Sequence, residues 1–291
     1  MLFGMCMFII IQEATGVNAR QKKFTIVLAN TEKRCYNENE TTYAVHKYKG
    51  DTMTTLYLIR HGETQNNEQG RINGCHAAHP LNSNGVAQAQ ALHEALAALP
   101  VDAVYASPLP RARQTAAIAF GCERDEIPTV DGLKELDFGV WDGECYRIWP
   151  KHWMQEWLEL LFDKGLEGGE SAASAQRRIC RALLSVYEKE RGKTVAIVSH
   201  GTILELLSMA LLDLPLTLES RQLCWGMRNT AFHCLEIDDD ETVRITHWCD
   251  DAHLPQELTR FGHYTPSAQT AALLGKTHSL SAIRRIAGEE N

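Results

Sequence analysis

A chain of 291 residues, 44% hydrophobic and 23% charged, is long enough for one large α/β domain or two small ones and can bury a core without covalent staples. Twenty glycines and nine prolines exclude collagen-like and disordered compositions. A formal net charge of −8 excludes a general binder of nucleic acid or anionic membrane, so an anionic ligand has to be held by a local positive cluster acting against the global charge.

In chain order, the opening MLFGMCMFIII is apolar but has no basic residue before it and no small-residue cleavage site behind it, which argues against a secretory signal. It also falls short of the roughly 18 apolar residues of a membrane span. FTIVLA (24–29) has strand character, but the polar run TEKRCYNENETT that follows has neither helical nor strand periodicity. Residues 1–52 therefore read as an N-terminal extension, either poorly ordered or an upstream reading of the frame with Met53 as the biological start. They carry seven basic and five acidic residues; subtracted from 29 and 37, these leave 22 and 32, so the remainder is more acidic, at −10.

The domain is expected over 53–250. TLYLIR (55–60) is a buried strand, and SNGVAQAQALHEALAAL (83–99) a helix behind a Ser/Asn cap. VDAVYAS (101–107) is a second strand, PRARQTAAIAF (110–120) a second helix and IPTV (127–130) a short strand-like piece. The loop LKELDFGVWDGE leads to a Trp-rich helical stretch over 148–162, and a further helix runs over 170–190. TVAIVSHG (194–201) is a third strand, followed by the helix ILELLSMALL. AFHCLEID and TVRITHW form a hairpin turning at DDDE. Residues 251–291 read as a C-terminal extension, with AIRRIAG a basic terminal helix that serves as a docking or solvated face. Alternating strands and helices predict an α/β three-layer sandwich: a mostly parallel central sheet with helices on both faces. Nine cysteines stand singly with no C-x-x-C pair, which argues against a disulfide framework or zinc cluster and for a reducing, cytoplasmic setting.

Ligands in such sheets bind at the carboxyl ends of the strands. There stand Arg60-His61-Gly62-Glu63-Thr64, then Ser107-Pro108 leading to Arg111, then Ser199-His200-Gly201. A histidine at a strand end before Gly has its ring in the crevice, with backbone N–H groups expected free beside it as an anion-binding concavity. Arginine forks match phosphate oxygens, a neutral imidazole can attack phosphorus, and a carboxylic acid kept protonated by burial can supply the leaving group's proton. Taken alone, His200 reads as readily as a satisfied core histidine. Two His-Gly strand ends with an arginine-bearing helix between them are far more specific than either part.

These segments resemble the histidine phosphatase superfamily, the phosphoglycerate mutase-like group, from Thr55 to about Trp248. LIRHGET followed by Asn67 resembles its nucleophile motif, SPLPRARQTA its second-arginine motif, LKELDFGVWDG its acid loop, GGES its substrate-side turn and VSHG its second histidine. The resemblance implies that His61 becomes phosphorylated, that Arg60, Arg111 and His200 complete the phosphate pocket, and that Glu135 is the proton donor and later the base for water. Thr64, Asn67 and Gly201 would line the phosphate site. Glu63 and Glu144 read as structural and Arg113 as a surface contact. His76, His79 and His93 fit no metal pattern, and neither metal nor cofactor is implied.

Mutases of this group carry a longer insertion after the acid loop and an RHYG-like motif. Here GVWDGECYRIWPKHWMQEW passes directly to GGES, which favours water as acceptor and hence a phosphatase over a cofactor-dependent phosphoglycerate mutase. The implied partner is a small phosphorylated metabolite: a sugar phosphate, phosphoglycerate, nucleotide-derived phosphate or ribazole phosphate, the last favoured slightly by the GGES turn and compact size. A homodimer is compatible with this reading. Trp149, Trp153 and Trp157 form an i, i+4, i+8 stripe that either packs on the core or makes the inner face of a lid, with Gly165, Gly168 and Gly169 as its hinge. A non-catalytic phospholigand-binding or interaction protein is the reading from a different class. Its expected mark is loss of one of His61, Arg60, Arg111, Glu135 or His200, and all five are present.

Overall fold

The computed structural model describes residues 53–260 and 262–289; the expectations for 1–52 lie outside the described residues. In chain order the elements are β1 (Thr54–Arg60), α1 (Gln65–Gln69), α2 (Ser83–Leu96), β2 (Ala103–Ala106), α3 (Pro110–Phe120), α4 (Lys151–Asp163), α5 (Ala172–Lys189), β3 (Thr194–Ser199), α6 (Gly201–Leu211), α7 (Leu218–Cys224), β4 (Phe232–Ile237), β5 (Thr242–Asp250), α8 (Ala268–Leu274), β6 (His278–Ser279) and α9 (Ser281–Ala287). The six strands form one sheet in the order β2-β3-β1-β4-β5-β6. β2, β3 and β1 run parallel, while β4, β5 and β6 extend the sheet antiparallel.

β1 and β3 are buried almost end to end, as central parallel strands must be. Alternation along β1 sends Leu56 and Leu58 into the core cluster shared with Ile179 and Leu183 of α5 and Leu207 of α6. Tyr57 and Ile59 are buried on the other side, where Tyr57 meets Phe232 edge-on and α2 packs on α3. This is the mostly parallel, helix-flanked α/β sheet expected. IPTV does not become a strand: only an isolated bridge joins Thr129 to Ala106. The short helices α1, α7 and α8 carry too few turns to show a period in the sequence.

The stretch beyond 250 is continuous with the same core. β6 pairs with β5, and α9 buries Leu280, Ile283 and Ala287 against α5 and α6. The two arginines of AIRRIAG are ion-paired, Arg284 with Glu188 and Glu241 and Arg285 with Asp213. Among the described residues no helix is long and apolar enough to cross a membrane.

Candidate active site

Parallel pairing decides the geometry. β1 and β3 are in register with Arg60 opposite Ser199, so His61 and His200 leave the sheet side by side, ring centroids 5.1 Å apart. β2 flanks β3 with Ala106 opposite Val198, which brings Ser107 Oγ to 2.7 Å from His200 Nε2. α3 starts with Pro at its first turn, whose fixed φ suits a helix start, and delivers Arg111 between the rings. Arg111 Nε lies 3.2 Å from His61 Nε2 and 3.1 Å from His200 Nδ1. Its Nη1 donates to Ala77 O at 2.8 Å, and its Nη2 to Asn73 O and Gly74 O, both at 3.1 Å. The guanidinium is completely buried and held on every side.

These contacts set the proton positions. His61 Nδ1, 2.7 Å from Gly62 O, must carry the hydrogen that bonds a carbonyl, which leaves the Nε2 lone pair toward Arg111. His200 accepts at Nδ1, so its Nε2–H donates to Ser107. Burial, then Arg111 and Arg60, hold His61 well below the usual imidazole range; burial, Arg111 and His61 do the same for His200. Both rings are therefore neutral at physiological pH. Burial brings Arg111 down to about 10, where it remains a cation. Arg60 donates to Met227 O at 2.6 Å, while its buried Nε has no partner among the described residues.

Glu135 enters from the loop between α3 and α4. Its Oε1 accepts from the N–H groups of Leu136 at 2.9 Å and Ile203 at 3.0 Å, and its Oε2 from Thr202 at 3.1 Å. Burial raises its pKa and outweighs these donors and the Arg111 and Arg60 charges, which pull it down. The loop is fixed from several sides. Ser199 Oγ donates to Leu133 O at 2.8 Å, and Arg178 Nη1 to Gly132 O and Lys134 O, both at 2.9 Å. Gly139 and Gly169 pack backbone on backbone: a Cβ would stand 2.0 Å from Glu167 O at the first and 2.3 Å from Asp137 O at the second.

One expectation holds only in part. Beside His61 the N–H groups are taken: Gly62 donates to Thr115 Oγ1, Glu63 to Gln88 and Thr64 to Asn67. Beside His200, Thr202 and Ile203 donate to Glu135, while Gly201 N–H, on the cavity wall, has no partner among the described residues. A buried donor needs a partner, and side chains supply most of them, so positive charge at the site comes mainly from arginine, with Gly201 N–H left open beside the rings.

Arg60, His61, Asn67, Glu135 and Gly201 line one end of a cavity of about 410 Å³. Arg111 and His200 back His61 without reaching the wall, and Thr64 does not reach it either. The Thr64 hydroxyl caps α1 and accepts from Asn73 Nδ2 at 3.0 Å, so it positions its neighbours. Glu63 is buried and accepts from Asn82 at 3.0 Å, Glu144 is exposed, and Arg113 bonds Arg124 O and Asp125. His93 faces Ala119 O, His79 is exposed, and His76 lies 3.1 Å from Asp137.

The far wall of the cavity is apolar, and the Trp stripe is only partly its source. The helix starts at Lys151 behind Pro150, so Trp149 precedes it, and Trp153 is 56% exposed. The lining stripe is Met154, Trp157, Leu158 and Leu161, at i, i+3, i+4 and i+7. Trp157 stacks on Phe138 at 5.7 Å and meets Trp149 edge-on at 5.8 Å, so these rings pack together and face the cavity at once.

Sequence reasoning missed Asn73 and Glu205. Both line the cavity and are more than nine-tenths buried; Glu205 lies 3.1 Å from Arg221. Glu205 had a signal, as the single charge within ILELLSMALL. Asn73 had none.

Comparison with known proteins places this geometry. The chain is 32% identical over 167 residues to the adenosylcobalamin/alpha-ribazole phosphatase of Escherichia coli (strain K12), covering 55% of this chain and 80% of that protein. It is 34% identical over 195 residues to the protein named "Probable phosphoglycerate mutase GpmB" in Salmonella choleraesuis, covering 65% and 87%. In structure it resembles a phosphoserine phosphatase mutant of Entamoeba histolytica in complex with phosphoserine, with a TM-score of 0.60 and 28% identity over 69% of this chain and all of that one. The model of the histidine phosphatase superfamily (branch 1) matches residues 56–251, which hold the paired strand ends, the clamped arginine and the acid loop, and the chain belongs to that superfamily.

Proposed function

We propose that this protein is a phosphoric monoester hydrolase that cleaves a small phosphorylated metabolite through a covalent phosphohistidine on His61. The observation that carries this reading is the unprotonated Nε2 of His61, held neutral by burial and set 3.2 Å from the buried Arg111 guanidinium. That nitrogen attacks phosphorus as the bond to the leaving oxygen breaks. Arg60, Arg111 and His200 surround the charge on the phosphoryl oxygens, with Asn67 and Gly201 beside them. Glu135, whose pKa burial raises, gives its proton to the leaving oxygen. Water then attacks the phosphohistidine, Glu135 takes a proton from it, and the P–N bond breaks to release phosphate and free His61. Two arginines supply the positive charge this needs, so the reaction is metal-independent. Seven described cysteines, all free thiols, suit a reducing cytoplasm.

The test is hydrolysis of an aryl phosphate with and without chelator, alongside His61→Ala and Glu135→Gln. Activity should survive the chelator, fall by about four orders of magnitude in His61→Ala and by about two to three in Glu135→Gln. Activity lost to chelator, or kept in His61→Ala, overturns the mechanism. Isomerisation of 3-phosphoglycerate that depends on a bisphosphorylated primer would make the acceptor a sugar-acid hydroxyl and the protein a mutase.

A further inference from the structure

Beside the catalytic pocket, the segment 73–77 faces the loop that carries Glu135, and a set of metal-ligating atoms stands where the two meet. Cys75 Sγ, a ring nitrogen of His76 and a carboxylate oxygen of Asp137 all lie within 4.8 Å of one another. His76 Nε2 is already 3.1 Å from Asp137 Oδ2. A tetrahedral zinc ion, with bonds of about 2.3 Å to sulfur and about 2.0 Å to nitrogen and oxygen, needs ligand-to-ligand edges of about 3.3–3.6 Å. Cys75 is half-buried and His76 exposed, so both side chains have room to turn toward that geometry, and three protein ligands would leave the fourth position to water.

A further feature favours a cation here. Asp137 is oriented from behind: its Oδ1 accepts from Gly139 N at 2.9 Å, the outer contact that fixes a metal-binding carboxylate. Burial, then the charges of Asp137 and Glu170, push the Cys75 thiol up to about 11, so the ion has to displace the thiol proton to bind. Thiolate, imidazole and carboxylate together suit Zn²⁺ or Co²⁺ and not Mg²⁺ or Ca²⁺.

We propose that Cys75, His76 and Asp137 form a regulatory site for a zinc-class divalent ion, distinct from the catalytic groups. As the metal–sulfur bond forms, the thiol proton passes to solvent. The consequence follows from what the two segments hold. Asn73, Gly74 and Ala77 supply the carbonyls that clamp Arg111, and Asp137 stands two residues from Glu135. Cys75 N–H to Leu136 O at 3.2 Å, Gly74 N–H to Asp142 at 2.8 Å and His76 to Asp137 at 3.1 Å join the segments among the described residues. A bound ion replaces the last contact by a stiffer one and draws Asp137 toward Cys75, which shifts the neighbouring Glu135 off the position set by Leu136, Thr202 and Ile203, and so slows the enzyme.

The test uses the full chain with a non-thiol reductant. Titration with Co²⁺ should give a thiolate-to-cobalt charge-transfer band that saturates at one ion per chain, disappears on adding Zn²⁺, and is absent in Cys75→Ser. The same band should persist in Cys145→Ser, and His76→Ala should weaken the ion's affinity at least tenfold. Zn²⁺ should raise the Tm of the wild type and reduce its aryl phosphate turnover severalfold, reversibly with chelator, and do neither in Cys75→Ser. The proposal is overturned by absence of the band in the wild type, its persistence in Cys75→Ser, or equal Zn²⁺ inhibition of both proteins. The spectroscopic arm is independent of turnover, so a failure of the phosphohistidine mechanism would leave it standing.

Discussion

The two ends of the cavity are held by different means. At the phosphate end, His61, Arg111 and His200 are at most 2% exposed, and their bonds run to backbone carbonyls, to the Ser107 hydroxyl and to one another. At the opposite end, α4 has no side-chain cap, and of its four lining residues only Leu161 is buried. Trp157 is held there by ring contacts of 5.7 and 5.8 Å, and Leu161 by the core. Groups that stabilise developing charge must not reorganise during the reaction, whereas a wall that receives the leaving group can yield. The contrast teaches that the groups to which the proposed mechanism gives the chemistry are preorganised, and it points to the less constrained wall as the seat of selectivity.

The strongest way to break this comparison is at Arg111. Arg111→Ala leaves three buried carbonyls and two imidazoles without their donor, and should cost about 2–4 kcal/mol in urea denaturation as well as turnover. Arg111→Lys should rescue little, because a point ammonium cannot span five acceptors. If Arg111→Ala unfolds at the wild-type urea concentration, the preorganised end is not held as described.

Next comes pH. In the proposed mechanism His61 must be neutral to attack, so its lowered pKa should keep kcat/KM up as pH falls below 6.5, where an ordinary histidine would begin to fail. Glu135 must be protonated, so the alkaline limb sets in above the ordinary carboxylate range, at its raised value. Stability follows the imidazoles. With folded values below the unfolded 6.5, the unfolded chain binds more protons under that pH, so Tm should hold above 6.5 and fall as pH drops through the folded values. A Tm flat from pH 7 to 4 would contradict neutral buried rings.

The apolar wall should respond more gently. Trp157→Ala should lower kcat/KM for a ring-bearing aryl phosphate by about tenfold while changing that for a small aliphatic phosphate little. An equal loss on both substrates would mean that the wall positions the phosphate end too. Smallest of all, Trp153→Ser should stay within about 0.5 kcal/mol of the wild type and leave turnover unchanged, because the ring is 56% exposed.

Much of this was legible in the residues. Apolar strands ending in His-Gly, with Arg111 behind a proline on the helix between them, pointed to a convergent phosphate site, and the parallel register brings these residues to one edge. The segments less well read were those whose patterns end early or lack a period. IPTV has β-branched residues but only one bridge, and Pro150 starts α4 after Trp149, which splits the tryptophan stripe. AIRRIAG reads as a docking or solvated face, and the structure makes it a docking one: Ile283 is buried and its arginines are paired by Glu188, Glu241 and Asp213. Those partners come from far along the chain and leave no local mark.

By itself the sequence determined the strand ends, the residue types that stand on them and the family they belong to, because these follow from local hydrophobic period and from motifs of adjacent residues. Only the tertiary structure decided the rest. Whether an N–H is free, that Arg111 stands between the two rings, and that Cys75 and His76 meet Asp137 all depend on what lies across the chain. Burial and hydrogen-bond partners are properties of position in space, and these partners are separated by tens of residues; even the nearer contacts, Gly62 O on His61 and Asn73 on Thr64, are fixed by backbone geometry that the residue types do not spell out.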